Sequence, residues 1–213
     1  MTQRSGLREQ KKQATREALR AAALRLALER GPGNVRVDDI AEAAGVSPRT
    51  YNNYFSSREQ AIVAAVTSER ETRVAAAVAA RPATVRLADA VIDAIVDQYT
   101  TQGESGRDAL LLIATSPALR DAFVHAATTI EHPLTAAIAE RLGDVDPHTA
   151  HVLAACVAAA VRVSLERWLQ PTSPAATGLV VPSGALPDLL RASLAPLAPA
   201  LDAAEKRSDC RRR

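Results

Sequence analysis

Apolar residues recur along this chain at helical spacing, and a coarse pass along it predicts helices only. Leu19, Ala22, Ala23 and Leu26 stand at i, i+3, i+4 and i+7, which predicts a first helix over about 15–30 with Gly31 as its stop. A second helix is expected over 37–44, stopped by Gly45. Ser47 then reads as an N-cap and Pro48 as the first residue of a very short third helix reaching Tyr54. Ser56 and Glu59 fit a capping box for a fourth helix that continues to about Ala80, where Arg81-Pro82 breaks the pattern. Beyond the break, Thr84 is expected to cap a helix through Thr101, with Leu87, Val91, Ile95 and Gln98 on one stripe. Gly103 and Gly106 precede a short apolar helix over 107–115. Ser116-Pro117 opens the next, which is expected to reach Leu142 with a kink at Pro133. Asp146-Pro147 opens a long helix to about Leu169, residues 170–184 read as a loop, and a last helix starts near Pro187 and is bent or ended by Pro196 and Pro199.

Composition agrees with an all-α fold. Among 213 residues, 45 are Ala while aromatics make up 3%, a balance that favours helix and excludes a β-sandwich or barrel. The formal net charge of +2 conceals segregation: residues 1–73 carry a net +4, residues 74–205 a net −6 and residues 206–213 a net +4. A basic head on an acidic body suggests that the head meets an anion the body avoids, although a solvated helix face explains many such runs. The expected division is a head over 1–80, a helical domain over 81–205 and a disordered basic tail over 206–213. Two cysteines cannot form a disulfide framework; Cys156 lies in an apolar run and reads as an inert core residue, and Cys210 lies in the tail. The start of the chain has no apolar signal core, and the longest apolar stretch, 152–161, is too short to span a bilayer, so a cytoplasmic protein without a membrane partner is expected.

One segment carries recognisable chemistry. Ala41 and Gly45 stand four apart ahead of Ser47-Pro48, the arrangement of a helix-turn-helix, with Val46, Tyr51 and Phe55 expected to bury against the first helix. Arg49, Thr50, Asn52 and Asn53 then face outward. Arg suits guanine edges or phosphate, Asn can bond adenine bidentately, and the helix N-terminus favours phosphate. The stretch 7–66, with "AALRLALERG" (22–31), "VDDIAEAAGVSPRTYNNYFSSREQAI" (37–62) and the aromatic-rich end of the third helix before Ser57-Arg58-Glu59, resembles the DNA-binding domain of the TetR (tetracycline-repressor) family of bacterial transcription regulators.

The resemblance implies a dimeric all-α regulator with a C-terminal domain for effector binding and dimerisation. Carried over by position, it makes Arg49, Thr50 and Asn53 base or groove contacts, and Tyr51, Tyr54 and Arg58 phosphate contacts. Ser47 becomes a cap near the DNA backbone. Arg58 stands where the family usually has Lys and keeps the charge. Arg36 replaces the Thr that commonly caps the second helix, and as a cation it can still reach DNA. Ala27 and Pro32 replace aromatics common in the family, so packing beneath the first helix differs. Arg4, Arg8, Lys11, Lys12 and Arg16 form a basic lead-in, read as an arm along the DNA backbone or minor groove or as a solubilising tail.

The sequence offers no glycine-rich phosphate loop, nucleophile elbow or Cys/His zinc spacing, so no enzyme, cofactor or metal is expected. His148 and His151, three apart, and His125 and His132, seven apart, read better as surface or core histidines than as ligands. Tyr99, Phe123, His125 and Trp168 are the bulky candidates for the wall of an effector pocket; ordinary core is the alternative for each. The stretch "TSPALRDAF" (115–123) together with Trp168 is similar to C-terminal domains of actinobacterial TetR-type regulators, some linked to acyl-CoA or mycofactocin systems. By the same resemblance, the helices from Pro147 and Pro187 pack against their symmetry mates, with Ala158, Ala159 and Ala160 allowing close approach. The expected protein is a homodimeric, ligand-responsive repressor on a palindromic operator, its effector small and hydrophobic. The rivals are a constitutive or partner-controlled DNA-binding protein and, from another class, a helical enzyme or binding module without DNA activity.

Overall fold

A computed structural model describes residues 2–100, 104–143, 146–170 and 185–212. Its elements are helices throughout, with no strand among the described residues. They group into two compact units, Met1–Thr67 with Glu104–Phe123, and Ser68–Gly103 with Val124–Arg213.

The first unit is built on α1 (Thr2–Arg30), α2 (Val37–Ala43), α3 (Pro48–Asn52) and the start of α4 (Arg58–Ala80). The buried stripe of α1 is the expected one, Leu19, Ala22, Ala23 and Leu26, joined by Ala27. Gly31 stops the helix at φ 78, and Asn34 returns a side-chain N–H to the Arg30 carbonyl at 2.8 Å. The start of α1 differs from expectation. The basic lead-in is not an extended arm but the first turns of the same helix, as its Ala, Gln, Glu, Lys and Arg content favours. The unit also takes in α6 (Glu104–Thr115) and the start of α7 (Pro117–Ala126), because α1 packs against α6. The expected division sets these residues in the second domain, and the Arg81-Pro82 break, its expected boundary, ends α4.

The second unit packs α5 (Leu87–Thr100), α8 (Glu131–Leu142), α9 (Pro147–Trp168), α10 (Leu186–Leu194) and α11 (Ala198–Arg212). In it α9 touches α8 and α10, while α5 touches α10 and α11. By length and composition α9 is apolar enough to cross a bilayer, yet Leu153, Ala154, Val157, Ala158, Val161 and Leu165 are buried within the unit. The expected kink at Pro133 lies one turn earlier, in a 3-10 segment over Ala127–Ile130, and Pro133 sits in the first turn of α8, where a missing N–H costs no helical bond. A second 3-10 segment, Ala195–Leu197, bends the chain between α10 and α11 as the prolines required.

The expected disordered tail is corrected most clearly. α11 continues to Arg212, Ser208 is buried and donates to the Leu142 carbonyl, and Glu205 accepts the N–H of Leu87 at 2.9 Å. Thr84, the expected cap of α5, lies in a turn; the helix begins three residues later with this carboxylate at its N-terminus. The loop expected over 170–184 lies, apart from Gln170, outside the described residues.

Candidate nucleic-acid interface

The α2–α3 corner follows from its sequence residue by residue. Gly45 takes φ 69 and donates to the Glu42 carbonyl at 3.0 Å, and Val46 donates to the Ala41 carbonyl at 2.9 Å, a Schellman closure of α2. A Cβ at Gly45 would meet nothing within 4 Å, so glycine is needed there for its backbone conformation and not for space. Ala41 is buried beneath the turn. Ser47 then caps α3: its Oγ accepts the Thr50 N–H at 3.1 Å and lies 2.9 Å from Thr50 Oγ1.

α3 is thereby aimed. Tyr51 and Phe55 point into the unit, with ring centroids 5.8 Å apart. Arg49, Asn52 and Asn53 are exposed, and Thr50 and Tyr54 are half-buried. Arg49 and Asn53 stand four apart and share a face. Arg36 is exposed at the start of α2. Lacking an acceptor, its side chain cannot cap that helix; Asp39 accepts the Arg36 backbone N–H at 3.0 Å instead.

Two of the expected phosphate contacts make bonds within the unit. Tyr51 is fully buried, and its hydroxyl donates to the Ser57 carbonyl at 2.8 Å. Burial, aided by the Glu59 charge, pushes this phenol up to about 12. Arg58 reaches back across 25 residues: Nη1 donates to the carbonyls of Val35 at 2.8 Å and Gly33 at 3.2 Å, and Nε to Glu59 at 2.7 Å. Burial works most strongly to raise the Glu59 carboxyl, but the bond to Arg58, the Glu59 backbone N–H, the Arg58 charge and the Ser57 hydroxyl together hold it below the usual range. The capping register also shifts by one residue. Ser57, not Ser56, caps α4 by accepting the Gln60 N–H at 3.1 Å, and Gln60 accepts from the Ser56 N–H at 2.7 Å.

Arg58 is thus a clip between the α1–α2 connection and α4. Arg58→Lys keeps the charge but loses the fork, and we expect it to destabilise the first unit by about 1 kcal/mol. DNA affinity should be unchanged at temperatures where the unit stays folded. Thermal unfolding paired with anisotropy titration checks both; a normal melting curve with weakened DNA binding would restore the phosphate contact.

The four effector-wall candidates lie on α5, α7 and α9. Tyr99 is buried in the second unit with the guanidinium carbon of Arg70 4.4 Å from its ring centroid, a contact sequence reasoning missed. Burial raises the Tyr99 phenol and lowers the Arg70 guanidinium from their ordinary values. Phe123 is buried but belongs to the first unit. His125 is exposed, and Trp168 is half-buried at the end of α9. Cys156, expected in the core, is exposed on α9. His151 lies 3.5 Å from Glu131, and among the described residues no group of three His, Cys, Asp or Glu could hold a metal.

These features define a helix-turn-helix protein with a separate helical unit, and comparison with known proteins makes the class specific. Residues 19–65 match the family model for bacterial regulatory proteins of the tetR family, and residues 81–202 match that of the MftR C-terminal domain. The chain belongs to the TetR family of bacterial regulatory proteins, with a C-terminal region of the MftR kind. It is 38% identical over 71 residues to the HTH-type transcriptional regulator TcmR of Streptomyces glaucescens. That match covers 33% of this chain and 31% of the relative, so it spans about a third of the relative's length. Among solved structures, a TetR-family regulator from Rhodococcus sp. aligns over 89% of this chain and 99% of its own, with 20% identity and a TM-score of 0.46. Another from Streptomyces coelicolor aligns over 92% of this chain and 88% of its own, with 17% identity and a TM-score of 0.44.

Proposed function

We propose that the protein is a homodimeric, cytoplasmic repressor that binds a palindromic operator and releases it when a small hydrophobic molecule enters the second unit. The observation that carries the DNA reading is the outward side of α3. Arg49 and Asn53 are exposed on one face, beside Thr50, on a helix held by the Ser47 cap and by the buried Tyr51 and Phe55. Such a face suits base edges in a major groove, with Tyr54, Arg36 and the Ser47 end of the helix toward phosphate. Tyr51 and Arg58 leave the contact set and act by positioning.

Support for the dimer comes from α9. Val152, Cys156, Ala159 and Val163 are exposed at helical spacing, with Val152 and Val163 at 43% and 47% exposure. This apolar stripe is what a second copy would cover. Ala158 is buried within its own protomer and takes no part in that face, whereas Ala159 does. For the effector, the buried Arg70–Tyr99 pair supplies a polar mark beside the apolar core of that unit.

The test is selection of bound duplexes from a random pool, together with a gel-shift on the region upstream of the gene. Arg49→Ala and Asn53→Ala are expected to lower affinity by about 1–3 kcal/mol and to relax base preference at one position each. Tyr54→Ala should weaken all sequences alike. A uniform small loss in all three variants would refute the assignment.

A further inference from the structure

From residue 6 onward the first buried residue of α1 is Leu19, and the helix begins at Thr2. Residues 6–14 and 16–18 are exposed, so the helix runs for more than three turns, roughly 20 Å, without a covered side. A segment this short is marginal as an isolated helix. Local contacts support it: Lys12 pairs with Glu9 at 3.8 Å, Gln13 donates to Glu17 at 2.8 Å, and Thr15 donates to the Lys11 carbonyl at 2.9 Å.

The exposed side chains are not arranged at random. At 100° per residue, Lys11, Arg8, Lys12 and Arg16 fall within roughly 140° of the helix circumference. Glu17 stands outside that arc and Glu9 at its edge. Leu7 is the one Leu, Ile, Val, Met or aromatic residue between positions 6 and 18, so there is no apolar stripe for another helix to pack against. Recognition by this segment must therefore rest on charge. The cationic face also has a fixed place in the unit. The Arg16 guanidinium lies 5.7 Å from the centroid of Phe55, the aromatic that closes α3 from below. The row of cations thus starts at the foot of the helix read above as entering the major groove.

We infer that the N-terminal half of α1 is a second DNA-binding element, a cationic rail for the phosphate backbone flanking the half-site. This rests on the proposed reading of α3. The rail reads no sequence. It adds affinity and salt dependence through counterion release, and being helical it lies along the backbone instead of threading a minor groove as an extended arm would.

The test uses the full chain carrying Arg8→Gln, Lys11→Gln and Lys12→Gln together. Gln keeps helix propensity, and Arg16 is left intact because of its contact with Phe55. Anisotropy titrations are run from low to moderate salt on a selected operator duplex and on a scrambled duplex of equal length. The slope of log K against log salt should become shallower by about 2 to 5 across the dimer. Affinity near physiological salt should fall by about 10- to 100-fold on both duplexes, leaving their ratio unchanged. The charge-conserving variant Arg8→Lys with Lys11→Arg and Lys12→Arg should behave as wild type. An unchanged slope in the Gln variant, with wild type binding normally, overturns the rail alone and shows a solvated face. A changed duplex ratio at constant slope also overturns it. Absence of salt-sensitive binding by the wild type removes both the rail and the reading of α3.

Discussion

Tyr51→Ala will unfold the first unit under conditions where the wild type is folded, at a cost of about 3–5 kcal/mol. The ring is fully buried against Phe55, and truncating a core aromatic loses both its burial and the packing around the cavity left behind. Tyr51→Phe separates the ring from the hydroxyl. It leaves the Ser57 carbonyl without its 2.8 Å donor and should cost about 1 kcal/mol, with operator affinity retained wherever the unit remains folded. A phosphate-contacting tyrosine would show the reverse, with normal stability and weakened binding. The same residue sets a limit at alkaline pH. Its phenol is raised from 10.0 to about 12, so the folded state favours the protonated form. That contribution is complete below pH 10 and is lost as pH rises from 10 to 12, amounting to about 2–3 kcal/mol. Denaturant unfolding repeated across that window should show a smaller decline in Tyr51→Phe than in wild type, the remainder coming from the buried Tyr99 of the second unit.

The second large effect is expected at Arg141. Its guanidinium donates to the carbonyls of Arg81 at 3.1 Å, Pro82 at 3.3 Å and Val85, and pairs with Glu205 at 3.7 Å. Glu205 in turn accepts the Leu87 N–H that opens α5, while Arg86 bonds both Asp89 and Asp202. One cation from α8 and two carboxylates from α11 therefore fasten the α4–α5 elbow. Arg141→Met strips three carbonyls of their donor and leaves Glu205 without its cation, and should destabilise the second unit by about 3 kcal/mol. Glu205→Gln keeps an acceptor for Leu87 and should cost about 1 kcal/mol. Hydrogen exchange at the Leu87 amide reads the difference directly: fast in Arg141→Met, slowed again in Glu205→Gln. Equal protection in both variants would show that the elbow holds without the cation.

The helix-turn-helix was legible because its signals are local. Gly45, Ser47 and Pro48 each act within four residues of their own position, and the structure follows them. What escaped the sequence was either ambiguous locally or decided far along the chain. Ser56-Ser57-Arg58-Glu59-Gln60 satisfies the capping pattern in two registers, and only packing selects the second. Arg58 reads from the sequence as a phosphate contact, while its bonds to the carbonyls of Gly33 and Val35, 25 and 23 residues back, lie beyond any local pattern. Tyr51 fits both a core position and a phosphate contact by sequence, and the structure buries it fully. On α9, apolar residues occur all round the helix, so periodicity could not tell that Ala158 faces inward and Cys156 outward. The C-terminal helix escaped because its charged end resembles a tail, and its partners Leu87, Leu142 and Arg141 lie more than 60 residues away.

The scarcity of aromatics has a practical consequence for the bench. Trp168, half-buried at the end of α9, is the sole tryptophan and belongs to the second unit, while Tyr51 and Tyr54 belong to the first. Tryptophan emission therefore follows the second unit alone. In a Tyr99→Phe background, ultraviolet absorbance of an ionising Tyr51 follows the first, since each of these buried phenols titrates normally only after its burial is lost. Coincident curves from the two signals would show one cooperative transition, and separated curves would give each unit its own stability without a label or a truncated protein.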